Sequence, residues 1–164
     1  MKSKAVSSAK TRERGELVHT LATEVGRTLS THTVMLHAAV AERLGLNITD
    51  HKALDFACRG GGPVTAGELA ELTGLTTGAI TSVIDRLEKA GFARRERDPN
   101  DRRRIIIRPT SRAQEIGRLF ESLARAMTRL CSQYTDRDLT LLIDFFDQVT
   151  ALVQDETRKL RTAQ

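Results

Sequence analysis

Apolar residues recur along this chain at spacings of three and four over most of its length, and a few glycines and prolines punctuate the pattern. From residue 12 to residue 44 no proline interrupts Leu17, Leu21, Val25, Leu29, Leu36, Val40 and Leu44, which predicts one long helix with Gly26 as its weak point and Gly45 as its end. A shorter helix is expected from about Asp50, capped by Thr49 and with Ala53, Leu54, Phe56 and Ala57 inward. Gly60-Gly61-Gly62-Pro63 then reads as a linker. Thr65 and Glu68 match the reciprocal capping pattern, so a third helix starts there and stops at Gly74. Thr76 or Thr77 caps a fourth, in which Ile80, Val83, Ile84 and Leu87 make a single apolar stripe before Gly91.

The period then changes. Phe92 to Arg97 and Arg104 to Arg108 read as paired strands around the turn signal Asp98-Pro99-Asn100-Asp101. Beyond Pro109 the helical spacing returns, with Ile116, Phe120, Leu123, Met127 and Leu130 on one helix to about Ser132. After a break at 133–135, a last helix to about Leu160 carries Leu139, Leu142, Phe145, Phe146, Val149, Leu152 and Val153. The fold class is therefore mainly α with a small two- or three-stranded β element.

A helix of some 30 residues spans about 45 Å, more than a small domain covers. Exposed Leu and Phe at about 25 cal/mol per Å2 would cost the terminal helices many kcal/mol. Intertwining with a second copy of the chain is the expected resolution, through Leu17, Leu21, Val25, Leu139, Leu142, Phe145, Phe146, Val149 and Leu152. An intramolecular helical hairpin is the alternative. The expected organisation is a disordered tail over 1–11, an N-terminal dimerisation helix over 12–47, a central domain over 48–110 and C-terminal dimerisation helices over 111–164.

Charge sharpens the reading of the centre. Between Phe92 and Arg112 lie eight arginines (94, 95, 97, 102, 103, 104, 108 and 112) against Glu96, Asp98 and Asp101, a local excess of +5. The rest of the chain has 18 basic and 18 acidic residues, so the whole formal excess sits here. On the preceding helix, Gly78, Ser82, Asp85 and Lys89 lie opposite the apolar stripe, flanked by Thr77 and Thr81. Small hydroxylated residues at a helix N-terminus suit close approach to a DNA groove, and adjacent arginines suit phosphate. Asp85 is out of place on such a face and is expected to be neutralised by Lys89 at i+4 or by an arginine of the hairpin.

The stretch ELAELTGLTTGAITSVIDRLEKAGFARRERDPNDRRRIIIRPT resembles the winged helix-turn-helix of the MarR (multiple antibiotic resistance regulator) family. The resemblance is close over the 46 residues from Thr65 to Thr110, wing included, and looser in the helices outside. It implies a homodimer on palindromic operator DNA, the second helix in the major groove and the wing in the adjacent minor groove, and a repressor released by a small aromatic effector. The expected DNA contacts are Thr65, Thr76, Thr77, Gly78, Thr81, Ser82, Arg86, Arg94, Arg95, Arg97, Arg102, Arg103 and Arg104. Asp98 and Asp101 are expected to stabilise the wing, with Asp101 and Arg103 at the positions of the family's wing pair. The effector cavity of the family lies between dimerisation helices and winged domain, where His37, Phe56 and Phe120 are the candidate contacts.

Other chemistries find less support. With 164 residues, 40% of them apolar, and a sequence pI of about 9.7, the chain fits one domain plus a dimerisation module. No stretch approaches a membrane span and no signal-peptide region is visible, so a cytoplasmic, nucleoid-associated protein is expected. The four histidines form no metal motif, no nucleophile motif occurs, and no cofactor, metal or catalytic residue is expected. Cys58 and Cys131 lie 73 residues apart and leave a thiol-based redox regulator as one alternative; a helical interaction protein that does not read DNA is another.

Overall fold

The computed structural model describes residues 13–59 and 63–162. The expected tail over 1–11 and the glycines of the linker lie outside the described residues. The chain divides into two compact units, Met1–Gly117 and Arg118–Gln164.

In the first unit, helix α1 covers residues 13–44 and includes a π-helical stretch, Thr20–Val25, immediately before Gly26. Helix α2, Ile48–Arg59, starts two residues earlier than the spacing suggested. Its cap is Asn47 and not Thr49: the Asn47 Oδ1 accepts from the Asp50 N–H at 2.8 Å, and its Nδ2 donates to the Asp50 carboxylate at 2.9 Å. Asn outranks Thr as a cap, and this register sets Asp50 in the first turn, where the helix dipole favours a carboxylate.

Strand β1, Val64–Thr65, leads into α3, Ala66–Thr73, and α4, Thr77–Lys89. Both helix starts are as expected. Thr65 and Glu68 form the full capping box, and the Thr76 hydroxyl accepts from the Ala79 N–H at 3.3 Å. Both stops depend on the left-handed backbone that glycine tolerates, with φ of 69° at Gly74 and 76° at Gly91. Strands β2, Ala93–Arg97, and β3, Ile105–Pro109, form the hairpin, and β1 pairs with the far side of β3, so the antiparallel order is β1-β3-β2. Successive residues of the central strand face opposite sides, and Ile106 and Ile107 are both buried, so protein covers both faces there.

Helix α2 packs on α1, α3, α4 and β3 and is the hub of this unit. The core lies around it: Leu54, Leu69, Ile80, Ile84, Leu87, Phe92 and Ile107 are each less than 2% exposed. Helix α5, Gln114–Cys131, buries Ile116 in its first turn. In the second unit α5 continues to a short break, where Thr135 and Asp138 form another reciprocal cap, and α6 runs over Asp136–Thr162. No residue of α6 is buried: Leu141, Phe146 and Leu152 are 68%, 50% and 65% exposed.

Candidate nucleic-acid interface

The stripe Ile80, Val83, Ile84 and Leu87 fixes the rotation of α4 because all four side chains are buried. Thr77, Gly78, Thr81 and Ser82 are consequently exposed on the first two turns, with Thr76 at the cap. The Thr81 hydroxyl donates to the Thr77 carbonyl at 2.9 Å and the Ser82 hydroxyl to the Gly78 carbonyl at 3.2 Å. With those protons turned into the helix, the oxygens offer acceptor lone pairs outward. A Cβ built on Gly78 meets nothing within 4 Å, so nothing inside the chain requires a glycine there.

The wing is a tight, side-chain-braced turn. Asp98 donates its N–H to the Arg104 carbonyl at 3.0 Å and accepts from the Asn100 N–H at 2.8 Å. Asp101 accepts the Arg103 N–H at 3.0 Å and the Arg103 Nε at 3.3 Å on one carboxylate oxygen, which gives the Asp101 and Arg103 pair a direct geometric basis. Arg103 itself reaches into solvent, with its side chain 92% exposed.

The arginines of this segment divide sharply. Arg94 and Arg108 share Glu96, whose carboxyl they hold below the usual range, Arg108 foremost. Arg104 lies 3.6 Å from Glu68, whose pKa is lowered first by the Thr65 N–H, then by the Thr65 hydroxyl and by Arg104. Arg112 donates to the Ala90 carbonyl at 2.6 Å and stacks 4.4 Å above the Phe92 ring, bracing the exit of the wing. Arg95 bridges Asp85, at 2.7 Å, and Glu88. Among the described residues Arg97 and Arg102 have no carboxylate partner. The neutraliser of Asp85 is thus an arginine of the wing.

Arg86 is tied to α2, although its own side chain stays 49% exposed. Its Nε and Nη2 form a two-pronged bond, at 2.8 and 2.7 Å, to Asp50 of α2, whose side chain is only 3% exposed. That hydrogen bond raises the guanidinium pKa further. Neither Asp50 nor Glu88 was among the candidate residues: Asp50 lies 36 positions from Arg86, and no local spacing signals the pair.

Of the candidate effector contacts, His37 is buried and its Nδ1 lies 3.0 Å from the Nε2 of buried His51, Phe56 is half-buried, and Phe120 lies in the second unit. Cys58 is an exposed residue whose thiol is nevertheless pushed up, first by desolvation and then by the Asp55 carboxylate. Among the described residues no group of three His, Cys, Asp or Glu side chains is placed to hold a metal ion, and no helix is long and apolar enough to cross a membrane.

Residues 44–104 match the sequence model of the MarR family. The Bacillus subtilis HTH-type transcriptional regulator YcgE is 44% identical over 149 residues, 90% of this chain and 96% of that protein. Among solved structures, a MarR protein from Peptoclostridium difficile shares the fold at a TM-score of 0.60 and 22% identity, over 86% of this chain and 92% of that one. CouR from Rhodococcus jostii, in complex with p-coumaroyl-CoA, superimposes at 0.54 with 25% identity, over 79% and 93%.

Proposed function

The chain belongs to the MarR family of helix-turn-helix transcriptional regulators, and on that premise we propose that it represses transcription by binding palindromic operator DNA as a homodimer and leaves the operator when a small aromatic effector binds. The observation that carries the reading is the juxtaposition of the uncharged, acceptor-bearing start of α4 with a wing root tied to the same helix through Arg95. The two elements supply different terms. Acceptors at α4 discriminate base edges, while Arg97, Arg102 and Arg103 at the wing supply sequence-independent attraction to phosphate.

The exposed apolar side chains of α1 and α6 support the dimer, since Leu17 and Leu141 at 67% and 68% exposure would be costly in an isolated chain. A two-fold dimer presents two copies of α4 to half-sites about one helical turn, roughly 34 Å, apart. The effector is supported by the ligand-bound Rhodococcus neighbour. The protein acts in this reading in the cytoplasm, at the nucleoid, with no catalytic step of its own.

The test is to recover the duplexes the protein retains from fragments of its own genome and to compete the best of them against a scrambled duplex. A single palindromic site is expected, and Thr81→Ala and Ser82→Ala are each expected to reduce the preference by about 1–3 kcal/mol. Equal losses on both duplexes would show that α4 positions the protein without reading sequence.

A further inference from the structure

We propose that Asp50, Asp85 and Glu88 are positioning residues for DNA recognition: they hold Arg86 and Arg95 off phosphate, and through them fix the rotation of α4 and the seat of the wing. The inference rests on the DNA-binding reading and relocates two arginines that the sequence had assigned to DNA.

Three positions within one turn of α4, Asp85, Arg86 and Glu88, carry the ties. Arg86 leads to α2, where Asp50 receives both prongs of the guanidinium, at 2.8 and 2.7 Å, and a further hydrogen bond from Asn47 at 2.9 Å. A carboxylate this buried is stable as an ion only while its partner stays in place, so releasing Arg86 to phosphate would strand a charge beside the core. Asp85 and Glu88 lead the other way, to β2. Glu88 accepts the Arg95 main-chain N–H at 2.7 Å as well as its side chain, and Asp85 takes the other guanidinium nitrogen at 2.7 Å. A bond to the main chain fixes the strand itself, and Arg95 stands in register with buried Ile107 of the central strand. Helix α4 is therefore held from both sides, by one tie to α2 and one to the wing.

The sign of the effect separates positioning from simple electrostatics. Neutralising an acid on a DNA-facing surface removes repulsion and strengthens binding to any duplex. If the acid is instead a tie, its loss disorders α4 or the wing and weakens binding to the chosen sequence.

The experiment uses the full chain as Asp50→Asn, Asp85→Asn, Glu88→Gln, Arg86→Ala and the double variant Asp50→Asn/Arg86→Ala. The probes are the duplex selected from the genome and a scrambled duplex of equal length, each titrated over a range of salt. Each acid-to-amide change is expected to weaken binding to the selected duplex about fivefold or more, with scrambled DNA bound as well as or better than by the parent. Arg86→Ala is expected to keep the parental salt slope, and the effect of Asp50→Asn is expected to vanish in its background. Amide variants that bind both duplexes more tightly, or a slope that falls by about one per chain in Arg86→Ala, overturn the proposal. Should Asp50→Asn lose its fold by circular dichroism, Asp85→Asn and Glu88→Gln decide alone, because their side chains are 61% and 31% exposed and tolerate the change. A parent with no preference between the duplexes overturns the DNA reading itself, a result distinct from the others.

Discussion

Gly78→Ala separates the stability of α4 from its function. Gly78 is the second residue of the helix, its φ is not in the left-handed range, and an added Cβ meets open space. Within the protein the substitution is therefore favourable. Alanine exceeds glycine in a helix interior by about 0.5–1 kcal/mol, and a first-turn position takes the lower part of that range. In a chain of this size that corresponds to a rise in Tm of roughly 1–2 °C. Against DNA the sign reverses, because a helix with its side chains is about 10–12 Å across and the major groove about 12 Å wide, which leaves no slack for an extra methyl on the buried side. Overpacking of a fitted interface costs about 1–3 kcal/mol, or about five- to hundredfold in Kd. Thermal denaturation and a gel shift on the selected duplex measure both signs on one protein. Gly117→Ala is the control, since Gly117 also opens onto free space at the start of α5 and is expected to raise Tm without touching DNA affinity. A Gly78→Ala protein that is more stable and binds operator as tightly as the parent would refute the placement of this face in a groove.

Three further outcomes are expected. Arg102→Ala and Arg103→Ala weaken binding to specific and scrambled DNA alike and flatten the salt slope by about one per contact, hence about two for a symmetric dimer; an unchanged slope in both variants removes the wing from the interface. Burial first lowers the pKa values of His37 and His51, with Lys52 the next cause for His37 and His37 the next for His51. Full stability therefore holds above the ordinary value of about 6.5 and is lost as pH falls from there through the lowered folded values, because the unfolded chain takes up protons that the folded one refuses. Urea midpoints at a series of pH values check this, and His51→Leu is expected to flatten the profile. Ending the chain before Thr135 removes Phe145, Phe146 and Leu152, and sedimentation is expected to find a monomer that no longer binds the full operator; tight binding by that monomer contradicts the dimer.

Local signals were sufficient for most of the fold. The capping box at Thr65, the cap at Thr76 and the glycine stops at 74 and 91 involve residues within a few positions of one another, so their energetics are written in adjacent letters. Where two good caps compete, as Thr49 and Asn47 do, the winner is set by the register that brings Asp50 to both Asn47 and Arg86, which is a tertiary contact. Strand β1 is two residues long and exists only through its pairing with β3, so no periodicity within it announces a strand.

The same distinction between local and tertiary signals applies to the charge cluster. Eight arginines in 21 residues look like a free cationic surface, yet six of them (94, 95, 103, 104, 108 and 112) stand beside carboxylates from β2, α3, α4, α5 and the wing loop. Most of those pairs are exposed, worth little each, and readily exchanged for phosphate. Arg86 and Arg95 differ because their partners are buried or also hold the main chain, so exchange would cost more than a surface ion pair returns. In the proposed reading, the number of positive charges sets the reach of the attraction to DNA, and the acids beside the arginines decide which of them touch it; Asp50, 36 residues upstream of its partner, is the acid no local pattern displays.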